Sequence, residues 1–81
     1  MDSQEVRVYN HSKAIERELI KATKKYGPFH STHEGYAVIH EELDELWEEV
    51  KKNKLGAARK EAIQVAAMAL RFLVDSDNWI E

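Results

Sequence analysis

Apolar residues recur with helical spacing in the first third of the chain. The positions separated by seven, four, three and four residues are Val8, Ile15, Leu19, Ala22 and Tyr26. Asp2 and Glu5 are spaced as a capping box, which favours a helix here although alternating valines also fit a strand. Gly27-Pro28 follows, and proline disfavours helix in the residue before it. We therefore predict a first helix that ends near Tyr26.

A second amphipathic segment follows this break. Ser31 and Glu34 form another capping box, and the helical pattern then continues to about Lys52. Its apolar face consists of Tyr36, Ile39, Leu43, Leu46, Trp47 and Val50. Because Trp47 lies on this face, we expect it in the core rather than stacked on a ligand. Asn53 and Gly56 are expected to bracket a short turn.

The third segment, from about Ala57 to Val74, is predicted to be a helix covered on nearly all sides. Eleven of the fourteen residues from 61 to 74 are apolar, and four of these are alanines that allow neighbouring backbones to come close. Residues 75–78 end it. Three helices do not easily bury so apolar a member. We therefore predict a single domain over residues 1–81, an all-α antiparallel bundle of about three helices completed by homo-oligomerisation.

Composition narrows the function classes. The 81 residues carry a net charge of only −3, which argues against a nucleic-acid partner. There is no cysteine, so disulfides, thiolate zinc sites and cysteine nucleophiles are excluded. No leader pattern and no segment of the roughly 20 apolar residues that a membrane requires can be recognised. We expect a cytoplasmic protein with no membrane partner.

The second helix carries the first candidate chemistry. At about 100° per residue, Glu41, Glu42, Glu45 and Glu49 fall within one quadrant, and no Lys or Arg occurs between Glu34 and Val50. These like charges should repel one another. A hard divalent cation among them, Mg²⁺ or alternatively Mn²⁺, would relieve the repulsion. The alternative is an ordinary solvated acidic face.

The third helix adds polar residues at the head of an apolar stretch. Glu61 and Gln64 lie one turn apart, and a carboxylate buried there needs a cation, so the two helices are expected to share a metal. Alternatively, Glu61 is exposed and pairs with Lys60 or Arg59. The basic turn before it carries Lys54, Arg59 and Lys60, which suit phosphate oxygens, or simply add solubility.

Glu41-Glu42-Leu43-Asp44-Glu45, followed after the basic turn by Glu61-Ala62-Ile63-Gln64, resembles the MazG-like all-α nucleoside triphosphate pyrophosphohydrolases. Their pattern is Glu-Glu-x-x-Glu on one helix and Glu-x-x-Asp on the next. The resemblance covers roughly residues 26–74 and implies hydrolysis of a nucleoside triphosphate to monophosphate and pyrophosphate.

By position, the resemblance implies that Glu42, Glu45 and Glu61 bind Mg²⁺ and that Glu41 orients an attacking water. It also implies a homodimer or homotetramer. Gln64 stands where the family has an aspartate, so that this metal position keeps an oxygen ligand but loses a charge. This departure leaves a non-catalytic relative open as a second hypothesis. A third hypothesis is a helical oligomerisation or interaction module. A zinc site at His33, His40 and Asp44 is also conceivable, but its spacing is wide.

Overall fold

The chain folds into three α-helices in a computed structural model, which describes residues 2–79. They are α1 (Ser3–Tyr26), α2 (Thr32–Lys51) and α3 (Leu55–Ser76). No strand occurs in this part of the chain, so the predicted all-helical, three-helix class is confirmed. None of these helices is both long enough and apolar enough to cross a membrane.

Side-chain caps begin the first two helices where the sequence predicts them. The Asp2 carboxylate accepts a hydrogen bond from the Glu5 amide at 2.8 Å, and Ser31 Oγ accepts one from the Glu34 amide at 3.1 Å. Gly27 ends α1 in a left-handed conformation, with φ 75°, that glycine adopts without strain. The predicted break at Gly27-Pro28 is therefore confirmed.

The second turn is shorter than predicted. Asn53, with φ 56°, reverses the chain, and α3 already begins at Leu55. Gly56 lies inside the first turn of α3 and does not bracket the connection. At its other end α3 continues to Ser76, two residues beyond the predicted limit at Val74. The predicted turn was too long because a single asparagine can adopt the positive φ that the reversal requires.

Helix α3 lies between the other two and contacts both, whereas α1 and α2 do not approach each other closely within residues 2–79. The buried hydrophobic residues are few: Phe29, Ala67 and Met68. Partly buried residues around them come from all three helices and from the segment after α3: Ile15, Leu19, Ala22, Val38, Ile39, Phe72 and Trp79. The core is thus a narrow line along one side of α3.

The apolar face of α2 is only partly covered. Ile39 and Leu46 are half-buried, but Trp47 is 57% exposed and Tyr36 is 66% exposed. The prediction that Trp47 belongs to the core was wrong for this single chain. The apolar stripe of α2 is wider than the strip that α3 covers, so its outer edge faces solvent.

A buried polar network fixes the α1–α2 loop to α3. Asp75 accepts a hydrogen bond from the Phe29 amide at 2.9 Å and lies 3.7 Å from the Arg71 guanidinium. Arg71 also donates to the Gly27 carbonyl and lies over the Phe29 ring, 4.0 Å from its centre. The Trp79 indole donates to the Phe29 carbonyl at 3.0 Å. These bonds hold the loop that leads into α2 and therefore help to position that helix.

Candidate metal centre

Three carboxylates from two helices converge at the middle of the α2–α3 pair. Glu42 and Glu45 lie one turn apart on α2, and Glu61 reaches them from the first half of α3. One oxygen of each side chain lies within 4.8 Å of the other two. These three residues are called the glutamate cluster below. The structure thus brings together three of the residues that the sequence predicts as metal ligands.

The electrostatics of the glutamate cluster disfavour three full negative charges. Burial, followed by the neighbouring charge of Glu45, raises the pKa of Glu42 to about 7. Burial and Glu45 likewise raise the pKa of Glu61 above its ordinary value. In addition, Glu61 Oε2 is buried without a hydrogen-bond partner among the described residues. A buried carboxylate oxygen without a partner is unfavourable, so the cluster calls for a proton or a cation.

The donor set fits a hard divalent cation. All three groups are carboxylates, which Mg²⁺ and Mn²⁺ prefer over nitrogen or sulfur ligands. Magnesium also keeps waters in its coordination shell, and Glu45 is exposed, so the cluster has an open side. The orphaned Glu61 oxygen is an observation of the fold itself and supports this fit independently of the sequence motif.

Gln64 is linked to the first helix. Its side-chain amide donates a hydrogen bond to Glu18 Oε2 on α1 at 2.9 Å, and both residues are half-buried. An aspartate at this position has no hydrogen to donate when ionised, so the amide is the group that suits a facing carboxylate. Glu18 was missed from the sequence. In the sequence, Glu18 is recognisable only as a polar residue beside the apolar stripe of α1. It lies 46 residues from Gln64, its hydrogen-bond partner.

Three other glutamates of α2, Glu34, Glu41 and Glu49, do not join the cluster. Glu41 is exposed, and its charge contributes to the raised pKa of Glu42. Glu49 lies 3.7 Å from Lys52, and its charge acts on Glu61. Glu34 accepts a hydrogen bond from the His30 amide at the start of α2. The glutamates on this side of α2 therefore form the cluster and three further carboxylates, each with different neighbours.

The predicted phosphate-binding residues do not lie together. Lys54 borders a depression with Val50 and Leu55, at the turn between α2 and α3. Arg59 borders another with His11 and Ile15.

Lys60 lies in a third depression, which Arg17, Glu18 and Gln64 also line. Of the three predicted basic residues, only Lys60 shares a depression with a predicted site residue.

The histidines of α2 lie apart from the cluster. His40 Nε2 is 3.9 Å from the Asp44 carboxylate, an exposed pair, while His33 lines an apolar groove with Tyr36 and Phe72. Within residues 2–79 the glutamate cluster is the group of side chains whose oxygens converge on a common point. The zinc arrangement considered from the sequence is therefore not assembled.

Comparisons with known proteins gave no match to this chain. No family model, no curated protein and no solved structure matches the chain. The functional assignment consequently rests on the motif positions and on the geometry of the cluster.

Proposed function

We propose that the protein is a Mg²⁺-dependent nucleoside triphosphate pyrophosphohydrolase of the MazG-like type. The observation that carries this proposal is the glutamate cluster, in which Glu42, Glu45 and the orphaned oxygen of Glu61 converge. The resemblance in sequence assigns metal binding to the same three residues. Geometry and motif thus point independently to one site.

In the proposed reaction, Glu42, Glu45 and Glu61 hold the cation. A magnesium ion held there would neutralise charge on the phosphates and make the attacking water more acidic. Glu41, exposed beside Glu42, accepts a proton from the attacking water and orients it. Water breaks the bond between the α-phosphate and the two terminal phosphates, which releases a nucleoside monophosphate and pyrophosphate.

The phosphates are proposed to approach from the side of Gln64. Lys60 and Arg17 border the depression that contains Gln64, and their charges can contact phosphate oxygens there. Lys54 and Arg59 are more peripheral to this side. Glu18 supplies, from α1, a negative charge beside the residue where the family has an aspartate.

We further propose that the protein acts in the cytoplasm as a homodimer or homotetramer, without a nucleic-acid or membrane partner. The second candidate function is a non-catalytic relative that binds a metal or nucleotide. Gln64 favours it, since a neutral amide replaces an acidic ligand. The exposed apolar edge of α2 favours the third candidate, a helical oligomerisation or interaction module.

The test is pyrophosphate release from ribo- and deoxyribonucleoside triphosphates with Mg²⁺ or Mn²⁺, together with thermal unfolding with and without each metal. Glu42→Gln, Glu45→Gln and Glu61→Gln should each abolish both activity and the metal-dependent shift. Glu48→Gln is the matched control, because Glu48 is an exposed glutamate of the same helix that pairs with Lys51 at 2.8 Å.

The outcomes separate the three hypotheses. A metal-dependent shift without pyrophosphate release would favour the non-catalytic relative. No shift and no release would refute metal binding and leave the interaction module. Equal activity in wild type and Glu61→Gln would also refute the proposed site.

A further inference from the structure

An apolar face runs along the exposed side of the α2–α3 pair. Large exposed side chains of both helices form it: Tyr36, Leu43, Trp47, Val50, Leu55 and Leu73. Near one end, Tyr36 and Leu73 line a groove of about 590 Å³ between the helices; near the other, Val50 and Leu55 line a second groove. The described part of the chain thus offers one apolar surface that extends along both helices, and it is called the outer face below.

The α3 part of the outer face has the spacing of a helix-packing seam. Its positions follow one another at intervals of four, three, four, three and four residues: Leu55, Arg59, Ala62, Ala66, Ala69 and Leu73. This is the heptad spacing by which one helix packs along another. All but the half-buried Ala66 are exposed in the single chain.

The order of side chains along this seam is complementary to itself when reversed. If a second α3 packs antiparallel with its centre at Gln64, Leu55 meets Leu73 and Ala62 meets Ala66. The long Arg59 side chain then meets the small Ala69. Each contact occurs twice, as a two-fold axis requires. Small residues at the centre let the backbones approach, while leucines close the two ends.

The whole chain exposes more surface than a compact monomer of its mass. The chain exposes 6156 Å² at a mass of 9.4 kDa. The usual relation between mass and surface gives about 5000 Å² for a compact monomer of this mass. The excess, about 1100 Å², exceeds the roughly 800 Å² that each partner buries in a typical stable interface.

We propose that the outer face is the interface of a two-fold symmetric homodimer in which two α3 helices pack antiparallel. The occupant is a second copy of this chain, because the seam matches its own reverse and because the chain as a whole exposes about 1100 Å² more than a compact monomer of its mass. This proposal names the surface through which the oligomer proposed above would form. It does not depend on the proposed enzymatic activity.

The first test is sedimentation equilibrium of the purified chain up to about 100 µM. Wild type should be a dimer, whereas Ala62→Glu, which places a charge at the seam centre, should raise the dimer dissociation constant at least about a hundredfold. Ala37→Glu is the matched control, an exposed alanine of α2 outside the outer face, and it should remain dimeric. Circular dichroism of each variant verifies that its helices are intact. A monomeric wild type, or a dimeric Ala62→Glu, would overturn the proposal.

The second test reads the orientation of the helices, and the absence of natural cysteines makes it unambiguous. Chains with Ala62→Cys mixed with chains with Ala66→Cys should cross-link to each other faster than either chain cross-links to itself. Preferential self-linking of each variant would refute antiparallel packing. Thermal unfolding of Ala62→Glu with and without Mg²⁺ distinguishes the dimer proposal from the metal proposal. A shift that persists in this variant would show that the metal site does not require the dimer.

Discussion

The raised pKa of Glu42 predicts how the stability of the metal-free protein depends on pH. An unfolded glutamate titrates near 4.5, whereas folding raises the pKa of Glu42 to about 7. Between these values the folded state keeps a proton that the unfolded state has lost. The free energy of unfolding must therefore fall as the pH rises from about 4.5 to about 7.

The size of this fall follows from the shift. Each unit of pKa difference corresponds to about 1.4 kcal/mol, which sets an upper limit of roughly 3 kcal/mol. Glu42 is partly solvent-exposed, and screening by water reduces this to on the order of 1 kcal/mol. For a chain of this length, that corresponds to about 4–8 °C in Tm.

The assay is urea unfolding at pH values from 4.5 to 8 in the presence of a chelator, with Glu42→Gln as the comparison. Other groups also titrate in this range, so the informative quantity is the difference between the two proteins. Wild type should lose stability relative to Glu42→Gln as the pH rises, and saturating Mg²⁺ should remove the loss. A difference that stays constant from pH 4.5 to 8, or grows in favour of wild type, would refute the reasoning.

Three further changes test other parts of the structure. Gln64→Asp removes the amide that donates to Glu18 and should lower the metal-free stability by about 1–3 kcal/mol, and adding Glu18→Gln should restore it; no restoration by the second change would contradict the pairing. Gly35→Ala should lower stability by about 1–3 kcal/mol, because a Cβ there overlaps the Phe72 ring, whereas the control Gly56→Ala, which meets open space, should be neutral or stabilising in urea unfolding. Asp75→Ala leaves the buried Arg71 charge uncompensated and should cost about 3–5 kcal/mol; a Tm within about 4 °C of wild type, equivalent to at most about 1 kcal/mol, would show that the network is dispensable.

Local signals were sufficient to predict the helices and the residues of the glutamate cluster. Capping residues and Gly27-Pro28 act on neighbouring backbone, so their effects can be recognised without knowing the fold. The convergence of Glu42, Glu45 and Glu61 was also accessible, since a short turn makes the two helices antiparallel and fixes their register approximately. The connection itself was mispredicted, because Asn53 and Gly56 can both adopt a positive φ.

Contacts between distant segments could not be predicted. Nothing near Gln64 in the sequence indicates that Glu18 is its partner, because α1 could pack on α3 in many registers. The same holds for Asp75, which looks like part of a polar helix end but accepts a hydrogen bond from Phe29. The separation of Arg59 from Lys60 is different in kind, since neighbouring residues on a helix point about 100° apart and this could have been recognised from the sequence.

The two proposals are compatible because they use different sides of α2. At about 100° per residue, the centre of the stripe formed by Tyr36, Leu43 and Trp47 lies about 150° around the helix from the midpoint of Glu42 and Glu45. A dimer that buries the outer face therefore leaves the open side of the glutamate cluster accessible to a cation and to a triphosphate. The partly exposed Trp47 has a place in this arrangement: it is unfavourable in water for a single chain and becomes buried when the second copy packs against it.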